Sequence, residues 1–436
     1  MVDEVTEGEA PTRRDALRYG GAVVVGGLLA GCTGQSATGP APAEADTDEN
    51  STATGTATPE PTSTDSTTPV ETETATNDGS YTVEMFPVGE VEFESVPESV
   101  TTYNMGWADM VVSLGQVDKL QTNRFSAPTL FYDRFDIDYD NDWPPLWQDG
   151  GMPKEVFYEH DPDVFLLDPN MLMGWDDNWD ESDIDEVQTN VAPFFGCHNR
   201  RMNSQWQTEM GYAEKAPSML EAFDKVGTVL DERDRTEAWL GLHEELQSTV
   251  QSKLPSDSDL PSVALINSGS EPEKGTFYAM NLGGKGYEMK PYRDLGLVEA
   301  DAFAGVETGK WGETDYETML EVDPDLVLVH WGITTGSVTF GGDGAYDAEQ
   351  FQEQFVTPME NDDVGSQLTA VQNGRVLPGP TAEQGPLVNA FQTELTARLF
   401  YPEAFGELDL DAPLDVPEEE RLFDRQRVAD IIDGEV

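Results

Sequence analysis

The sequence predicts an α/β protein built from two similar βα lobes joined by one long helix, and three observations carry this. The stretch ETMLEVDPDLVLVH at 317–330 repeats, without gaps, EVFYEHDPDVFLLD at 155–168. Glu155 matches Glu317, Glu159 matches Glu321, Asp161-Pro162-Asp163 matches Asp323-Pro324-Asp325, and Leu166 matches Leu328. A repeat spaced that far apart is too wide for a solenoid and marks two similar lobes. Second, from Tyr81 onward short apolar runs alternate with amphipathic stretches, the pattern of parallel strands linked by helices. Third, residues 218–255 read as helix with few interruptions between the two halves.

The elements follow in order. A first lobe is expected over 81–215, with strands at 100–103, 164–167 and 191–195. The runs at 164–167 and 326–329 are apolar at every position, which suits strands covered on both faces. In each repeat unit the proline disfavours helix at the residue before it and separates helix from strand. The connecting segment, 216–255, carries Trp239, Leu242, Leu246 and Val250 at spacings of three and four, so one face is apolar. His243 beside that face reads as a surface or half-buried histidine. The second lobe, 256–436, opens with a strand at 263–266 and closes with Pro402, an acidic loop to Glu420 and a final helix ending near Ile432.

Composition narrows the function. The chain of 436 residues has 24 Lys and Arg against 85 Asp and Glu, a formal charge of −61 spread along its whole length. Such a surface repels nucleic acid and anionic membrane. It resembles the composition of proteins from extreme halophiles, where concentrated salt shortens the Debye length to roughly 3 Å and like charges cease to repel.

The first 32 residues read as an export signal. Arg13-Arg14 precede an apolar run at 20–30, shorter than the roughly 20 residues that span a bilayer. The tail Leu29-Ala30-Gly31-Cys32 resembles a lipobox, so a twin-arginine lipoprotein signal is expected at 1–32, with Cys32 lipidated and the lipid as the only membrane attachment. Residues 33–80 are Thr, Ser, Pro and acidic residues with almost nothing apolar, a disordered tether that carries the sequon Asn50-Ser51-Thr52.

A lipobox and tether, two similar lobes, one long connecting helix and a repeated Glu-x6-Pro-Asp-strand unit are together similar to the class III substrate-binding proteins of ABC importers. That resemblance implies a monomeric extracytoplasmic receptor, held at the outer face of the membrane, that binds a ferric siderophore, or alternatively cobalamin or haem, in a cleft between the lobes. It implies delivery to an ABC permease dimer, with no resident cofactor and no catalysis. In that family a glutamate on each lobe docks into the permease, and Glu155 and Glu317 are the matching positions. From the residues alone each is also a helix-start residue: Pro153 suits the first helical position, with Glu155 third, and Thr314-x-x-Glu317 has the spacing of a capping box.

Ligand is expected at the loops after the strands. The family's cleft tryptophan, about six residues before the docking glutamate, corresponds to Trp311 and, with a short insertion, to Trp147. Strand-end loops add Tyr103, Asn104 and Trp107; Asn170 and Trp175; and His330 with Trp331. Large aromatics there suit a bulky chelate. Arg124 and the pair Arg200-Arg201, in TNRF and FFGCHNRR, are placed to bind carboxylate or catecholate oxygens. The loop at 268–288 has Tyr278 and closely spaced glycines but lacks a phosphate loop's lysine-serine ending.

Other classes fit less well. The four histidines, 160, 198, 243 and 330, are scattered, and DIDYDNDW at 136–143 lacks the glycine and closing glutamate of an EF-hand, so no metal site is expected. A nitrogenase-like core holds its clusters through several cysteines, whereas Cys197 is the only cysteine of the folded part. A secreted enzyme of another kind has no motif in its support.

Overall fold

The computed structural model describes residues 79–121, 129–139, 143–148, 150–256, 260–307, 310–333 and 347–436. The export signal, Cys32, all but the last two residues of the tether, and Arg124 lie outside the described residues.

Both lobes are layered around parallel strands. A hairpin, β1 (Tyr81–Met85) with β2 (Gly89–Phe93), precedes the first lobe. There β3 (Val100–Thr102) pairs in parallel with β4 (Val164–Leu166). Single parallel bridges extend this pair on either side, Val100 with Leu120 and Phe165 with Phe194. The strand expected at 191–195 is only that second bridge. Pro193 has no N–H to give, and two backbone bonds through Phe165 are all that join the segment to β4.

The second lobe is a five-stranded sheet in the order β7 (Trp311–Thr314), β6 (Phe277–Met280), β5 (Val263–Asn267), β8 (Leu326–Ile333), β9 (Val376–Pro380). β5, β8 and β9 run parallel, while β6 and β7 add antiparallel strands at one edge. The all-apolar runs are covered on both faces, as expected. On β8, Leu326 and Leu328 join the core shared with the connecting helices, while Val327 and Val329 join a second core under Phe351 and Phe355. On β4, Val164 and Leu166 face the shared core and Phe165 faces Phe157, Trp179 and Phe194. This is the period-two division of a strand buried on both sides.

The repeat is visible as a shared device. In each lobe a short helix, Lys154–His160 or Tyr316–Val322, ends at an aspartate in the left-handed region, Asp161 at φ 43° and Asp323 at φ 37°. A buried proline follows, then an aspartate that bonds the start of the neighbouring strand: Asp163 Oδ2 accepts from Ser99 N–H at 3.0 Å, and Asp325 Oδ2 from Ser262 N–H at 2.9 Å.

The connector is helical but broken once. Met219–Val229 and Arg233–Lys253 are separate helices, with Asp231 between them at φ 55°. The single long helix is therefore the second, of 21 residues. Its expected apolar face, Trp239, Leu242, Leu246 and Val250, is buried, and Trp239 Nε1 donates to Ser113 O at 2.7 Å. His243 is buried too, contrary to expectation. Its Nε2–H donates to Pro386 O at 2.8 Å, and burial with the nearby Lys290 charge lowers its pKa to about 3.

The helix Pro386–Phe400 has no counterpart in the sequence reading, and all 15 of its residues are buried. It packs against the helix Met105–Ser113 of the first lobe, whose Asp109 and Ser113 accept the N–H groups of Val388 (3.1 Å) and Leu387 (3.3 Å). Two residues from one lobe thus cap a helix of the other, which has no side-chain cap of its own. The closing helix is Arg425–Asp433, as expected. Among the described residues no helix is long and apolar enough to cross a membrane.

Candidate functional site

The strand ends of both lobes meet at the segment 196–201. Gly196 approaches the Leu167 backbone so closely that a Cβ would lie 2.5 Å from it. Buried Asp168, which caps the helix Pro169–Trp175, also accepts His198 N–H at 2.8 Å and the Tyr212 hydroxyl at 2.6 Å, pinning the loop. The loop then crosses to the other lobe. Tyr287 N–H donates to Asn199 O at 3.0 Å and Glu288 N–H to Arg200 O at 3.2 Å. A side chain at Gly286 would strike Arg200 O, with its Cβ only 1.9 Å away.

This delivers the arginine pair into carboxylates of the second lobe. Arg201 grips Glu288 with two donors, Nε to Oε2 at 2.5 Å and Nη2 to Oε1. Behind them His330 Nε2–H donates to Glu288 Oε1 at 3.0 Å, and the Tyr292 hydroxyl donates to His330 Nδ1 at 2.8 Å. Burial opposes the charge on Glu288, but Arg201 and the His330 hydrogen bond hold its pKa well below the usual carboxylate range. Burial lowers the pKa of His330, so the relay is an ionised glutamate, a neutral imidazole and a tyrosine. Arg200 Nη1 lies 2.9 Å from Glu383 Oε1. Burial opposes the charge on Arg200 as well, yet Glu383 and Glu288 keep its pKa above the ordinary value.

Aromatic rings surround the pair. Arg200 lies over the Trp331 ring at 5.2 Å and Arg201 over Trp311 at 5.9 Å, with Tyr278 6.5 Å from Trp311. On the first lobe Trp175 contacts Tyr103 at 5.8 Å, Trp147 at 6.5 Å and His198 at 5.0 Å. Trp331 sits at φ 71°, where the pairing of β8 with β9 shifts register. A bulky residue in the left-handed region is strained, and such strain gathers at functional sites.

The structure therefore brings together Arg200, Arg201, Trp311, Trp331 and Tyr278, with Tyr103, Trp147 and Trp175 in a second aromatic group beside His198. Asn104 is buried at the start of the helix Met105–Ser113. Asn170 bonds Asp168 at the start of its helix. Trp107 is a correction: it is 2% exposed within the shared core, because the helix beginning at Met105 turns its third residue inward. Several donors here have no acceptor among the described residues: Arg200 Nε, Asn104 Nδ2 and the indole N–H groups of Trp206, Trp311 and Trp331.

Glu155 and Glu317 are both exposed, and both are the second residue of their helix. Pro153 is the N-cap, which moves Glu155 forward from the expected third position. Thr314 belongs to β7, so the cap is Asp315, accepting Thr318 N–H at 2.9 Å, and the expected capping box does not form.

Sequence reasoning missed Glu288, Glu383 and Tyr292. Nothing in GYEMKPY or TAEQGP sets two buried glutamates apart in a chain with 85 acidic residues. A concavity of about 660 Å³ lies elsewhere, between the helices Arg233–Lys253 and Arg425–Asp433. Three of its arginines are paired, Arg134 with Asp415, Arg425 with Glu394 and Arg427 with Glu245, and it is remote from the strand ends. No group of three or more metal-ligating side chains occurs among the described residues.

Residues 106–381 match the family model described as periplasmic binding protein. The chain belongs to this family. Its members are solute-binding proteins that work outside the cytoplasm. A periplasmic binding protein from Veillonella parvula shares the fold at a TM-score of 0.50 and 17% identity, over 76% of this chain and 99% of that one. Two other solved structures are also similar. The triscatecholate siderophore binding protein FeuA from Bacillus subtilis, complexed with ferri-bacillibactin, is 14% identical with a TM-score of 0.46, over 73% and 97% of the two chains. The iron uptake ABC transporter substrate-binding protein PiuA from Streptococcus pneumoniae is 16% identical with a TM-score of 0.45, over 73% and 97%. No curated protein sequence matches the chain.

Proposed function

We propose that this family member captures an anionic ferric chelate of the siderophore class between its lobes and presents it to an ABC permease, tethered to the outer face of the membrane through lipidated Cys32. The observation that carries the reading is the collection of cationic and unpartnered donors at the junction of the lobes. Arg200 Nε, Asn104 Nδ2, Trp311 Nε1 and Trp331 Nε1 are buried donors without acceptors among the described residues, and Arg200 and Arg201 supply the charge. A buried donor left unpaired costs roughly 1–3 kcal/mol, so a ligand rich in oxygen acceptors is the complement. Catecholate or carboxylate oxygens around iron(III) supply such acceptors together with a flat apolar exterior for the tryptophans. In this reading iron is cargo, and the protein contributes only binding and docking.

Glu155 and Glu317 serve as the docking pair. They are exposed and equivalent in the two repeat units. The test is the small molecule that survives purification in high salt. An iron-containing species with a ligand-to-metal charge-transfer band in the visible supports the proposal. A corrinoid or haem in the cleft, identified by its spectrum and mass, overturns the assignment of cargo.

A further inference from the structure

We infer that the ligand carries at least two separate planar aryl arms with oxygen donors, each held by its own arginine–tryptophan unit at the lobe junction. This rests on the reading of the junction as the site of a ferric chelate, and narrows that chelate to the multi-armed aryl class.

The same unit occurs twice. In one, the Arg200 guanidinium lies 5.2 Å from the centre of the Trp331 ring, and its Nη1 is 2.9 Å from Glu383 Oε1. In the other, the Arg201 guanidinium lies 5.9 Å from the centre of the Trp311 ring and bonds Glu288 through Nε and Nη2. Both distances fall within the cation–π range of about 6 Å. Consecutive residues of one first-lobe loop supply the two arginines, and the second lobe supplies both tryptophans and both carboxylates. Each of these arginines and tryptophans is partly exposed.

The two units are separate. Trp311 opens β7 and Trp331 lies near the end of β8, and the order β7-β6-β5-β8 puts those strands three spacings apart, roughly 14 Å. Trp311 has a ring contact with Tyr278 and Trp331 with His330, and among the described residues none joins the two indoles. A single aromatic ring stacked on both would need them about 7 Å apart, two contact distances of roughly 3.5 Å. One planar group therefore fills one unit, and filling both takes two. The complement of each unit is an aryl ring bearing oxygens, with the ring packed on the indole and the oxygens accepting from the guanidinium. Catecholate and phenolate arms have this form, whereas hydroxamate arms lack the ring.

The probes are two ferric complexes on one tripodal scaffold, the first with three catecholamide arms, the second with one catecholamide and two hydroxamate arms, titrated calorimetrically in high salt. Each variant is compared with wild type for the same complex, so the difference in charge between the complexes cancels. For the three-aryl complex, Trp311→Ala and Trp331→Ala are each expected to weaken binding at least about tenfold, and the double variant by about the product, as for independent contacts. In the one-aryl complex the arm has a choice of units, and the stronger unit carries at least half of the binding. At least one single substitution should then cost no more than about twofold. A three-aryl complex that loses no more than about twofold from one of the substitutions, or a one-aryl complex that loses about tenfold from both, overturns the inference while leaving the proposed function standing. Failure of wild type to bind either complex contradicts the proposed function itself and this inference with it. Wild type supplies a readout independent of how the variants fold. In a crystal structure with the three-aryl complex, one catecholate ring should lie on Trp311 and another on Trp331. A ring on only one of the two indoles overturns the inference.

Discussion

Asp163 and Asp325 perform the same task in the two lobes: each accepts the N–H of the serine that precedes the neighbouring strand, at 3.0 Å from Ser99 and 2.9 Å from Ser262. The Asp-Pro-Asp half of the repeat is thereby explained as a device of the fold. The glutamates that begin the same units are not explained in this way. Among the described residues neither the Glu155 nor the Glu317 side chain makes a hydrogen bond or an ion pair, and both are exposed one residue into a helix.

Charge reversal at these positions separates docking from ligand capture. Glu155→Lys and Glu317→Lys are expected to leave chelate affinity unchanged and to reduce uptake sharply in cells, with the double variant worst, because a lysine adds repulsion to the lost attraction. Loss of the helix-dipole interaction lowers stability slightly, so melting in high salt accompanies the uptake assay. Normal uptake by folded, ligand-binding variants would reduce the glutamates to helix-start residues.

Much of the fold was legible because it rests on local rules. β4 and β8 announced burial on both faces by lacking polar residues at 164–167 and 326–329, and the prolines at 162 and 324 marked the helix-to-strand change. Pro386–Phe400 escaped because a helix buried on every side has no amphipathic stripe to detect. Trp107 was misplaced because nearness to a strand end in sequence does not say which way a helix face turns. The arginine pair was found by its position after an apolar run. Its partners Glu288 and Glu383 were not, since burial of a carboxylate is a tertiary fact.

Trp311 and Trp331 should contribute unequally. Trp311 is half-buried against Arg201, which Glu288 already holds, whereas Trp331 stacks on Arg200, the arginine with an unspent donor. Trp311→Ala is expected to weaken affinity for a ferric chelate by roughly tenfold and Trp331→Ala by more, at hot-spot scale. Calorimetric titration checks both, and unchanged affinity in either variant returns that tryptophan to a packing role.

Asp109 gives the lobe junction a pH dependence. Burial raises its pKa from 3.8 to about 7, although Val388 N–H, the Tyr132 hydroxyl and Leu387 N–H offset part of the rise. Between those values the folded chain keeps a proton that the unfolded chain has lost. The contribution of this group is therefore complete below about pH 4 and is lost as pH rises to about 7, with a slope no steeper than about 1.4 kcal/mol per pH unit. Asp109→Asn should flatten this component, read as the difference between denaturation series for variant and wild type in high salt. Parallel pH profiles would show that Asp109 is ionised throughout.

Salt should govern stability in the sense opposite to an ordinary protein. A formal charge of −61 repels itself across a Debye length of roughly 30 Å at 0.01 M salt and only about 3 Å at 1 M. Dilution from molar to millimolar salt is expected to unfold the protein, followed by far-ultraviolet circular dichroism. A signal that does not change would contradict the halophilic reading of the composition.

The central claim, that the junction of the lobes binds an anionic ferric chelate, is tested most directly by calorimetric titration of the wild-type protein with iron(III) tris(catecholate) in molar salt, beside iron-free catechol. The account predicts one site per chain with micromolar or tighter affinity, no binding of iron-free catechol, and loss of most of the affinity in Arg200→Gln. Absence of binding, or equal binding with and without iron, would contradict it.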